Sequence, residues 1–249
     1  MLFRSVSKFN AHLVNKVLGL GKTKGLGYDI QSVIAELSGS GLLTLFLSGC
    51  GLSALTNKPE TTANANDHIG ENKMKIVVIT GSPHKAGTSA LLADKFIEGA
   101  TSAGHEVFRF NSAFEDIHPC QGCDHCGMNG PCIQNDAIEQ TLMPKLIGAD
   151  LIVLITPLYY YGMSAQIKTV VDRFYSRTGS LHRKKSILMA TAYNSADWTM
   201  EALVHHYETL VRYMEWQDIG KVLAIGCGSR PIIERTEFPN QAYQIGYNL

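Results

Sequence analysis

The sequence lacks several features that would each assign it to a class of protein. It carries 22 Lys+Arg and 22 Asp+Glu residues, so it has no basic surplus for the phosphates of a nucleic acid. No uncharged apolar run of about 18 residues or more is present, so an ordinary membrane-spanning helix is not expected. Six cysteines are too few for a disulfide scaffold in a chain of 249 residues. The composition, 45% hydrophobic and 18% charged, is that of a globular protein.

The motifs of P-loop nucleoside triphosphatases and of serine hydrolases are also missing. Gly19-Leu-Gly-Lys-Thr23 resembles part of a phosphate loop, but Lys16 stands where the full motif requires glycine. There is no Gly-x-Ser-x-Gly elbow and no Ser/His/Asp arrangement of the hydrolase kind. These absences count against nucleotide hydrolysis and against serine hydrolase chemistry.

The chain divides near residue 73. Residues 54–73 are a polar stretch that cannot bury enough apolar surface to order itself, which is typical of a linker. The short, apolar, β-branched run that follows at 75–80 is the pattern of a fully buried strand. We therefore expect a weakly structured N-terminal extension over residues 1–73 and one domain over residues 74–249.

Within the extension, the segment 43–50 resembles a bacterial lipobox that ends at Cys50, the residue that would be lipidated. A positively charged region normally stands just before such an apolar stretch, and here the nearest basic residue upstream is Lys24. Two alternatives stay open: a loosely structured extension, and a start codon assigned too early, with Met74 as the true beginning. Contact with a membrane is expected only if Cys50 is lipidated.

Past residue 74, buried-strand patterns alternate with helical patterns. The predicted strands are 75–80, His105–Phe110, Leu151–Thr156, Ser186–Thr191 and Lys221–Ile225. The predicted helices are Ser89–Ala103, Ala137–Ile147, Ser164–Arg177 and Trp198–Tyr213. Five strands separated by helices predict an α/β fold with a doubly wound, five-stranded parallel sheet and helices on both faces. In such sheets a ligand lies beyond the carboxyl ends of the strands.

Two of these helices carry further signals. Asp136 and Glu139 have the spacing of a capping box at the start of helix 137–147. One face of helix 164–177 is apolar, with Ile167, Val170, Val171 and Phe174. The adjoining pair Asp172-Arg173 is interpreted as helix surface or as a subunit contact.

The loop after the first strand, Gly81-Ser-Pro-His-Lys-Ala-Gly-Thr-Ser89, combines glycines, hydroxyls and a helix N-terminus. These features suit a phosphate monoester, because the free N–H groups and the dipole of a helix N-terminus attract an anion. The candidate contacts are Ser82, His84, Lys85, Thr88 and Ser89. The loop is neither a P-loop nor a G-x-G-x-x-G fingerprint, and an ordinary polar βα loop is the alternative.

Three segments together resemble the flavodoxin-like NAD(P)H-dependent FMN reductases and the related iron–sulfur flavoproteins. They are Ile79–Ser89, the cysteine loop 120–132 with Asp136, and Ala149–Tyr159 followed by Lys168 and Asp172-Arg173. The resemblance covers residues 74–249 in the right order and none of residues 1–73. It implies a flavodoxin-like fold, FMN bound without a covalent link, and NAD(P)H or a protein as the electron donor.

The resemblance also implies where FMN would bind. The FMN phosphate is expected on Ser82, Thr88 and Ser89, with His84 standing where the family usually has arginine. The isoalloxazine ring is expected against two further loops, through Pro157, Leu158, Tyr159, Tyr160, Gly162, Tyr193 and Asn194. Tyrosines can cover a flat apolar ring, and simple burial or a dimer surface is the alternative for them.

Cys120, Cys123, Cys126 and Cys132 form the pattern C-x2-C-x2-C-x5-C. Four thiolates this close together can ligate a [4Fe–4S] cluster, whereas structural zinc usually has two C-x2-C pairs separated by a longer stretch. The spacing resembles that of the iron–sulfur flavoproteins. Reduced thiols, a redox-active disulfide and zinc stay open, because ligand spacing alone does not load a metal. Cys227 is interpreted as a small buried residue.

The sequence therefore predicts an FMN-dependent NAD(P)H oxidoreductase that passes electrons to a small-molecule or protein acceptor, such as a quinone or a flavin. The first alternative is an iron–sulfur flavoprotein that transfers electrons through FMN and a [4Fe–4S] cluster. The second is a non-catalytic flavodoxin-like module that acts through its cysteine loop. No acid–base residue is expected to be indispensable, because the flavin carries the chemistry. We expect a homodimer, and the unpaired cysteines favour the reducing cytoplasm.

Overall fold

The computed structural model describes residues 73–249. They contain five strands: β1 Lys75–Thr80, β2 Glu106–Asn111, β3 Leu151–Pro157, β4 Lys185–Thr191 and β5 Gln217–Ala224. The strands form one sheet in the order β2-β1-β3-β4-β5, and every neighbouring pair is parallel. The predictions on residues 1–72, including the lipobox-like segment that ends at Cys50, lie outside the described residues.

Seven α-helices accompany the sheet in this part of the chain. They are α1 Thr88–Ser102, α2 Met143–Ile147, α3 Ala165–Arg173, α4 Thr178–Leu181, α5 Glu201–Tyr213, α6 Arg230–Ile233 and α7 Phe238–Tyr247. A π-helical turn, Ile138–Leu142, leads into α2. Two 3-10 turns, Phe174–Arg177 and Asp197–Met200, follow α3 and precede α5.

The sheet is covered on both faces because its strands are apolar on both sides. In β1, Val77 and Ile79 join the core that contains Leu146 of α2, Ile167 of α3 and Leu203 of α5. The alternate residues of β1, Ile76 and Val78, join the second core, which contains Phe96 of α1 and Ala242 of α7. Successive side chains of a strand point to opposite faces, so one strand contributes to both cores. This is the predicted doubly wound α/β sheet.

The two helices of the second core, α1 and α7, lie very close together. A Cβ atom added at Gly99 would lie 2.1 Å from the Tyr243 carbonyl oxygen, and one added at Gly246 would lie 2.4 Å from that of Phe96. The absence of side chains at these two glycines therefore lets the two backbones meet. Helix α7 was not expected from the sequence, and it packs against α1 and β5.

The predicted strands all exist, with differences at their ends. Strand β5 begins at Gln217, four residues before the predicted start. The predicted helix 164–177 is wrong as a single α-helix, because α3 ends at Arg173 and continues as a 3-10 turn. Its apolar face is confirmed, since Ile167, Val170, Val171 and Phe174 are all buried.

Within residues 73–249, none of the helices combines the length and the apolar character needed to cross a bilayer.

Candidate functional site

The loop between β1 and α1 lies at the carboxyl edge of the sheet. The Ser82 hydroxyl accepts a hydrogen bond of 3.2 Å from the His84 backbone N–H, and Gly87 N–H donates to the His84 carbonyl, which turns the loop tightly. Gly87 then caps α1 in an extended conformation, and no side chain caps the helix. The first N–H groups of this 15-residue helix are therefore free of side-chain partners, which suits an anion.

Two hydroxyls of the first turn of α1 are tied to β4. Thr88 Oγ1 lies 3.0 Å from Thr191 Oγ1, and Ser89 Oγ lies 2.8 Å from the same atom. Thr191 ends β4 and is buried, as is Ser89, whereas Thr88 is partly exposed. These two hydrogen bonds hold the start of α1 against the end of β4, and the Ser89 side chain is buried there.

The three consecutive tyrosines form a narrow hairpin beyond the end of β3. The backbones of Tyr159 and Gly162 exchange two hydrogen bonds, of 3.2 and 3.1 Å. Tyr160 and Tyr161 occupy the turn with φ of 45° and 65°, the left-handed region that a tight hairpin turn requires. Tyr161 packs on Trp198 with ring centroids 5.0 Å apart, and Tyr160 is fully exposed.

The loops after β4 and β5 hold each other in place. Cys227 N–H donates to the Ala192 carbonyl over 2.7 Å, and Gly226 N–H donates to the Asn194 carbonyl over 3.0 Å. The ring of Tyr193 lies on Gly228, where an added Cβ would come within 2.2 Å of the Tyr193 Cδ2 atom. Gly228 therefore leaves the space that this tyrosine ring occupies.

A cleft of about 700 Å³ opens between these four loops. It has a polar end, formed by the β1 loop and the start of α1, and an apolar end, formed by the loops after β3 and β4. Eight of the predicted FMN contacts line it: Ser82, His84, Lys85, Thr88, Pro157, Leu158, Tyr159 and Tyr193. The other four, Ser89, Tyr160, Gly162 and Asn194, are not among its lining residues.

The cleft also contains residues that the sequence prediction did not include. They are Pro83, Ala86, Gly87, Thr191, Ala192, Cys227, Gly228, Ser229 and Arg230. The run from Cys227 to Arg230 comes directly after β5, so a search of every loop at the carboxyl edge would have found it. Cys227 is buried as expected, and burial raises the pKa of its thiol although the Thr236 side chain opposes this shift through a hydrogen bond.

The four clustered cysteines line one separate cavity of about 430 Å³. The loop that carries them turns repeatedly, with positive φ at Gly122, Asp124, Gly127 and Met128. The Gly122 backbone N–H points at the Cys120 sulfur over 3.5 Å, a contact of the kind that stabilises a ligating thiolate. The four cysteines therefore share one cavity, and that they form one metal site stays a prediction.

The metals that the cysteine spacing allows differ in how their ligands must be arranged. Within residues 73–249, no group of three or more His, Cys, Asp or Glu residues is placed to hold a single metal ion. A mononuclear zinc needs four ligands around one point, whereas a cubane binds one thiolate at each of four corners. Four thiols that line one cavity are a donor set whose chemistry suits a [4Fe–4S] cluster, and that a cluster is bound stays a prediction.

Arg173 is not on the helix surface, so that interpretation of the sequence is wrong. Its side chain is 1% exposed and makes a two-pronged contact with Asp136, with nitrogen–oxygen distances of 2.7 and 3.1 Å. Asp172 is exposed and pairs with Lys168 instead. A charged side chain this deeply buried is stable only with a partner, and the partner lies 37 residues away in the sequence.

The capping box at Asp136 is confirmed only in part. The Asp136 carboxylate accepts a hydrogen bond of 3.2 Å from the Glu139 N–H, as a cap would. The Glu139 side chain does not return to the cap but pairs with Arg177 over 2.7 Å. Burial raises the pKa of Asp136, but hydrogen bonds from Arg173 and from two backbone N–H groups outweigh it and hold the pKa below its ordinary value.

A flavodoxin-like sheet with a phosphate-type loop and an aromatic cleft at its carboxyl edge defines a class of flavin-binding proteins. Residues 74–229 match the family described as NADPH-dependent FMN reductase. The chain therefore belongs to the NADPH-dependent FMN reductase family.

Three comparisons illustrate this kinship. An iron–sulfur flavoprotein of Archaeoglobus fulgidus is 34% identical over 101 residues, which are 40% of this chain and 45% of that protein. YwqN of Bacillus subtilis, described as an NAD(P)H-dependent FMN-containing oxidoreductase, is 23% identical over 168 residues, 64% of this chain and 87% of that protein. The solved NAD(P)H:quinone oxidoreductase of Methanothermobacter marburgensis has the same fold, with a TM-score of 0.54 and 17% identity; the match covers 71% of this chain and 96% of that chain. The chain thus spans about half the length of the iron–sulfur flavoproteins it matches.

Proposed function

We propose that the protein is an FMN-dependent oxidoreductase that takes electrons from NAD(P)H and delivers them to a small-molecule or protein acceptor, such as a quinone or a flavin. The observation that carries this proposal is the cleft of about 700 Å³, which is polar at one end and aromatic at the other. FMN has the same division, because an anionic phosphate and a flat ring system stand at its two ends. Membership of the NADPH-dependent FMN reductase family supports both the cofactor and the donor.

Each end of the cleft has a defined role in this proposal. The start of α1, with Ser82 and Thr88 beside it, binds the phosphate; the exposed Lys85 ammonium adds attraction, and the His84 side chain adds a polar contact. Leu158, Tyr159 and Tyr193 cover the ring and exclude water from one of its faces. When bound, FMN supplies the redox chemistry by accepting a hydride from reduced nicotinamide and passing electrons onward.

Anaerobic purification and titration test this function. The purified chain should bind FMN with a one-to-one stoichiometry, quench its fluorescence, and lose the flavin absorbance when NADPH or NADH is added. Thr88→Ala should weaken FMN binding, whereas Thr101→Ala, at the far end of the same helix, should not. A folded chain that takes up no added FMN would contradict this function and leave the non-catalytic flavodoxin-like module as the remaining interpretation.

A second function is supported by the cysteine cavity. Four cysteines around one space of about 430 Å³ could hold a [4Fe–4S] cluster that exchanges electrons with FMN. The kinship with iron–sulfur flavoproteins points the same way, although the match spans only 45% of the first of them. In this version the chain is an electron-transfer protein that needs no direct reaction with nicotinamide.

Iron and acid-labile sulfide measured on anaerobically prepared protein distinguish the two versions. Four irons per chain, a broad absorbance beneath the flavin bands, and the loss of both in Cys126→Ser would support the cluster. Cys227→Ser is the matched control, because Cys227 is buried outside the cysteine cavity. Flavin bands without iron would select the simple FMN reductase.

We further propose that the protein acts as a homodimer with the cleft near the interface. Exposed aromatic rings cluster beside the cleft, among them Tyr159, Tyr160, Tyr193 and Trp198. Exposed aromatic groups of this kind are typical of an interface. Light scattering coupled to size-exclusion chromatography tests this state, and Tyr160→Ser should shift the protein towards the monomer.

A further inference from the structure

The ends of the cysteine loop are joined by one buried side chain. Arg173 Nη1 donates to the His118 carbonyl over 3.0 Å, just before the first cysteine of the loop. Arg173 Nη2 donates to the Gln134 carbonyl over 3.3 Å, just after the last cysteine. The same guanidinium holds the Asp136 carboxylate, which in turn accepts a hydrogen bond of 2.9 Å from the His118 N–H. Both ends of the loop therefore converge on a single arginine–carboxylate pair.

The neighbouring turn holds the loop at two further points. Arg177 donates to the Gly130 carbonyl and is itself fixed by Glu139. The Tyr175 hydroxyl donates to the Asp124 carboxylate over 2.6 Å, and this contact raises the pKa of Tyr175 to about 12. The short segment 173–177 thus contacts the cysteine loop at its base and at two points within it, Asp124 and Gly130.

One polar atom of this arrangement has no partner. Among the described residues, Arg173 Nε is buried and makes no hydrogen bond, although the rest of the guanidinium is fully engaged. Arg173 also lines the cavity that the four cysteines share. This donor is closed off from the cavity, and the Asp136 carboxylate neutralises the charge of the guanidinium, so Arg173 acts on the loop through its hydrogen bonds and not through a free charge.

We propose that Arg173 is a positioning residue for the cysteine loop: with Asp136 it closes the base of the loop and so holds the four cysteines in place for an iron–sulfur cluster. The cluster part of this proposal rests on the iron–sulfur function proposed above, whereas the closure of the loop does not. Hydrogen bonds to the sulfurs make a cluster easier to reduce, so a closed loop that keeps the Gly122 N–H on the Cys120 sulfur would raise the reduction potential.

The variants are chosen so that loss of fold does not confuse the result. Replacing Arg173 alone would leave the Asp136 carboxylate buried without a partner, so the neutral pair Asp136→Asn/Arg173→Gln removes both charges together. Arg173→Lys keeps the positive charge, but lysine lacks the planar guanidinium that donates to both ends of the loop at once. Arg183→Gln is the matched control, because Arg183 pairs with Glu215 on the exposed surface.

The first measurement needs no metal. Hydrogen–deuterium exchange of the iron-free, reduced, full-length protein should become at least about fivefold faster in peptides covering residues 118–135 of the neutral pair. Peptides from β1 and α1, and the control Arg183→Gln, should exchange as in the wild type. Unchanged exchange over residues 118–135 would overturn the proposal.

The second measurement uses protein reconstituted with iron and sulfide without oxygen. The cluster potential of the neutral pair should be more negative than that of the wild type, and a chelator should remove its iron about tenfold faster. Arg173→Lys, which keeps the charge but not the bridge between the loop ends, should resemble the neutral pair both in the potential and in the fast exchange of the loop. Equal potentials in wild type and neutral pair would overturn the effect of the loop on the cluster. If the wild type binds no cluster, the iron–sulfur function fails, and the exchange result alone decides the closure of the loop.

Discussion

The hydroxyl of Ser89, in the first turn of α1, lies 2.8 Å from that of Thr191 at the end of β4. Thr88 bonds to the same Thr191 oxygen over 3.0 Å. These contacts join two edges of the cleft that are about a hundred residues apart in the sequence. They hold the N-terminus of α1 against the end of β4. Thr191 therefore supports the phosphate end of the cleft although its own hydroxyl is turned towards the helix.

Replacing Thr191 with valine should keep the shape of the side chain and remove both hydrogen bonds. Ser89 would then be left with a buried, unpaired hydroxyl, so the free energy of unfolding should fall by about 1–2 kcal/mol. FMN binding should weaken by up to about tenfold, since the first turn of α1 loses its attachment. Urea unfolding and fluorescence titration measure the two effects. Thr101→Val on exposed α1 surface serves as the control, and equal FMN affinity in wild type and Thr191→Val would argue against this role.

Gly228→Ala should disturb the aromatic end of the cleft without unfolding the protein. The added Cβ would lie 2.2 Å from the Tyr193 ring, so this exposed ring must leave its present position. We expect weaker FMN binding with little change in thermal stability. Gly179→Ala is the matched control, because the nearest atom to its added Cβ is 3.6 Å away. If Gly228→Ala binds FMN as the wild type does, Tyr193 does not contribute to the flavin site.

The buried ion pair of Asp136 and Arg173 should make the stability of the protein depend on pH. The pKa of Asp136 is lowered in the folded state, so the folded state favours the carboxylate. The resulting stabilisation is present above the ordinary aspartate pKa of about 3.9 and is lost as the pH falls through the lowered value. At neutral pH, Asp136→Asn should destabilise the protein by about 3–5 kcal/mol, because Arg173 loses its charged partner.

Below about pH 4 the difference between wild type and Asp136→Asn should shrink, since protonation gives the wild type a neutral side chain as well. Denaturant unfolding from about pH 3 to pH 7 measures this difference. The exposed Asp116→Asn should behave as the wild type over the whole range. A difference that does not change with pH would show that the ion pair is not its source.

Cys227 should be far less reactive than the loop cysteines. Its thiol is 2% exposed and burial raises its pKa, whereas Cys120 and Cys123 are exposed. In iron-free protein near pH 8, iodoacetamide should therefore label Cys227 at least about tenfold more slowly. Mass spectrometry of the labelled peptides measures the rates, and unfolding in urea should make them converge. Rapid labelling of Cys227 in the folded protein would contradict its burial.

Much of the fold follows from local patterns. The β-branched runs at 75–80 and 151–157 can be buried on both faces only in a covered parallel sheet, and they form adjacent strands. The C-terminal helix α7 could not be predicted this way. Two of its ten residues are buried, and its closest contact with α1 depends on glycines, which carry no apolar signal.

The candidate site, too, could be predicted only in part from the sequence. Eight of the twelve predicted FMN contacts line the cleft, because loops that follow parallel strands meet at one edge of the sheet. Tyr160 is fully exposed because the turn geometry of the hairpin points it outwards, which three consecutive tyrosines in a sequence do not reveal.

The sheet, the phosphate-type loop after β1 and the grouping of four cysteines could be predicted from sequence patterns alone, because each depends on residues that are close together in the chain. Only the tertiary structure placed Thr191 against Ser89 and buried Arg173 against Asp136. An arginine at the end of an amphipathic helix has the local pattern of a surface residue. Its burial depends on a carboxylate 37 residues away, and the cost of desolvating either charge is offset only when folding brings the two together.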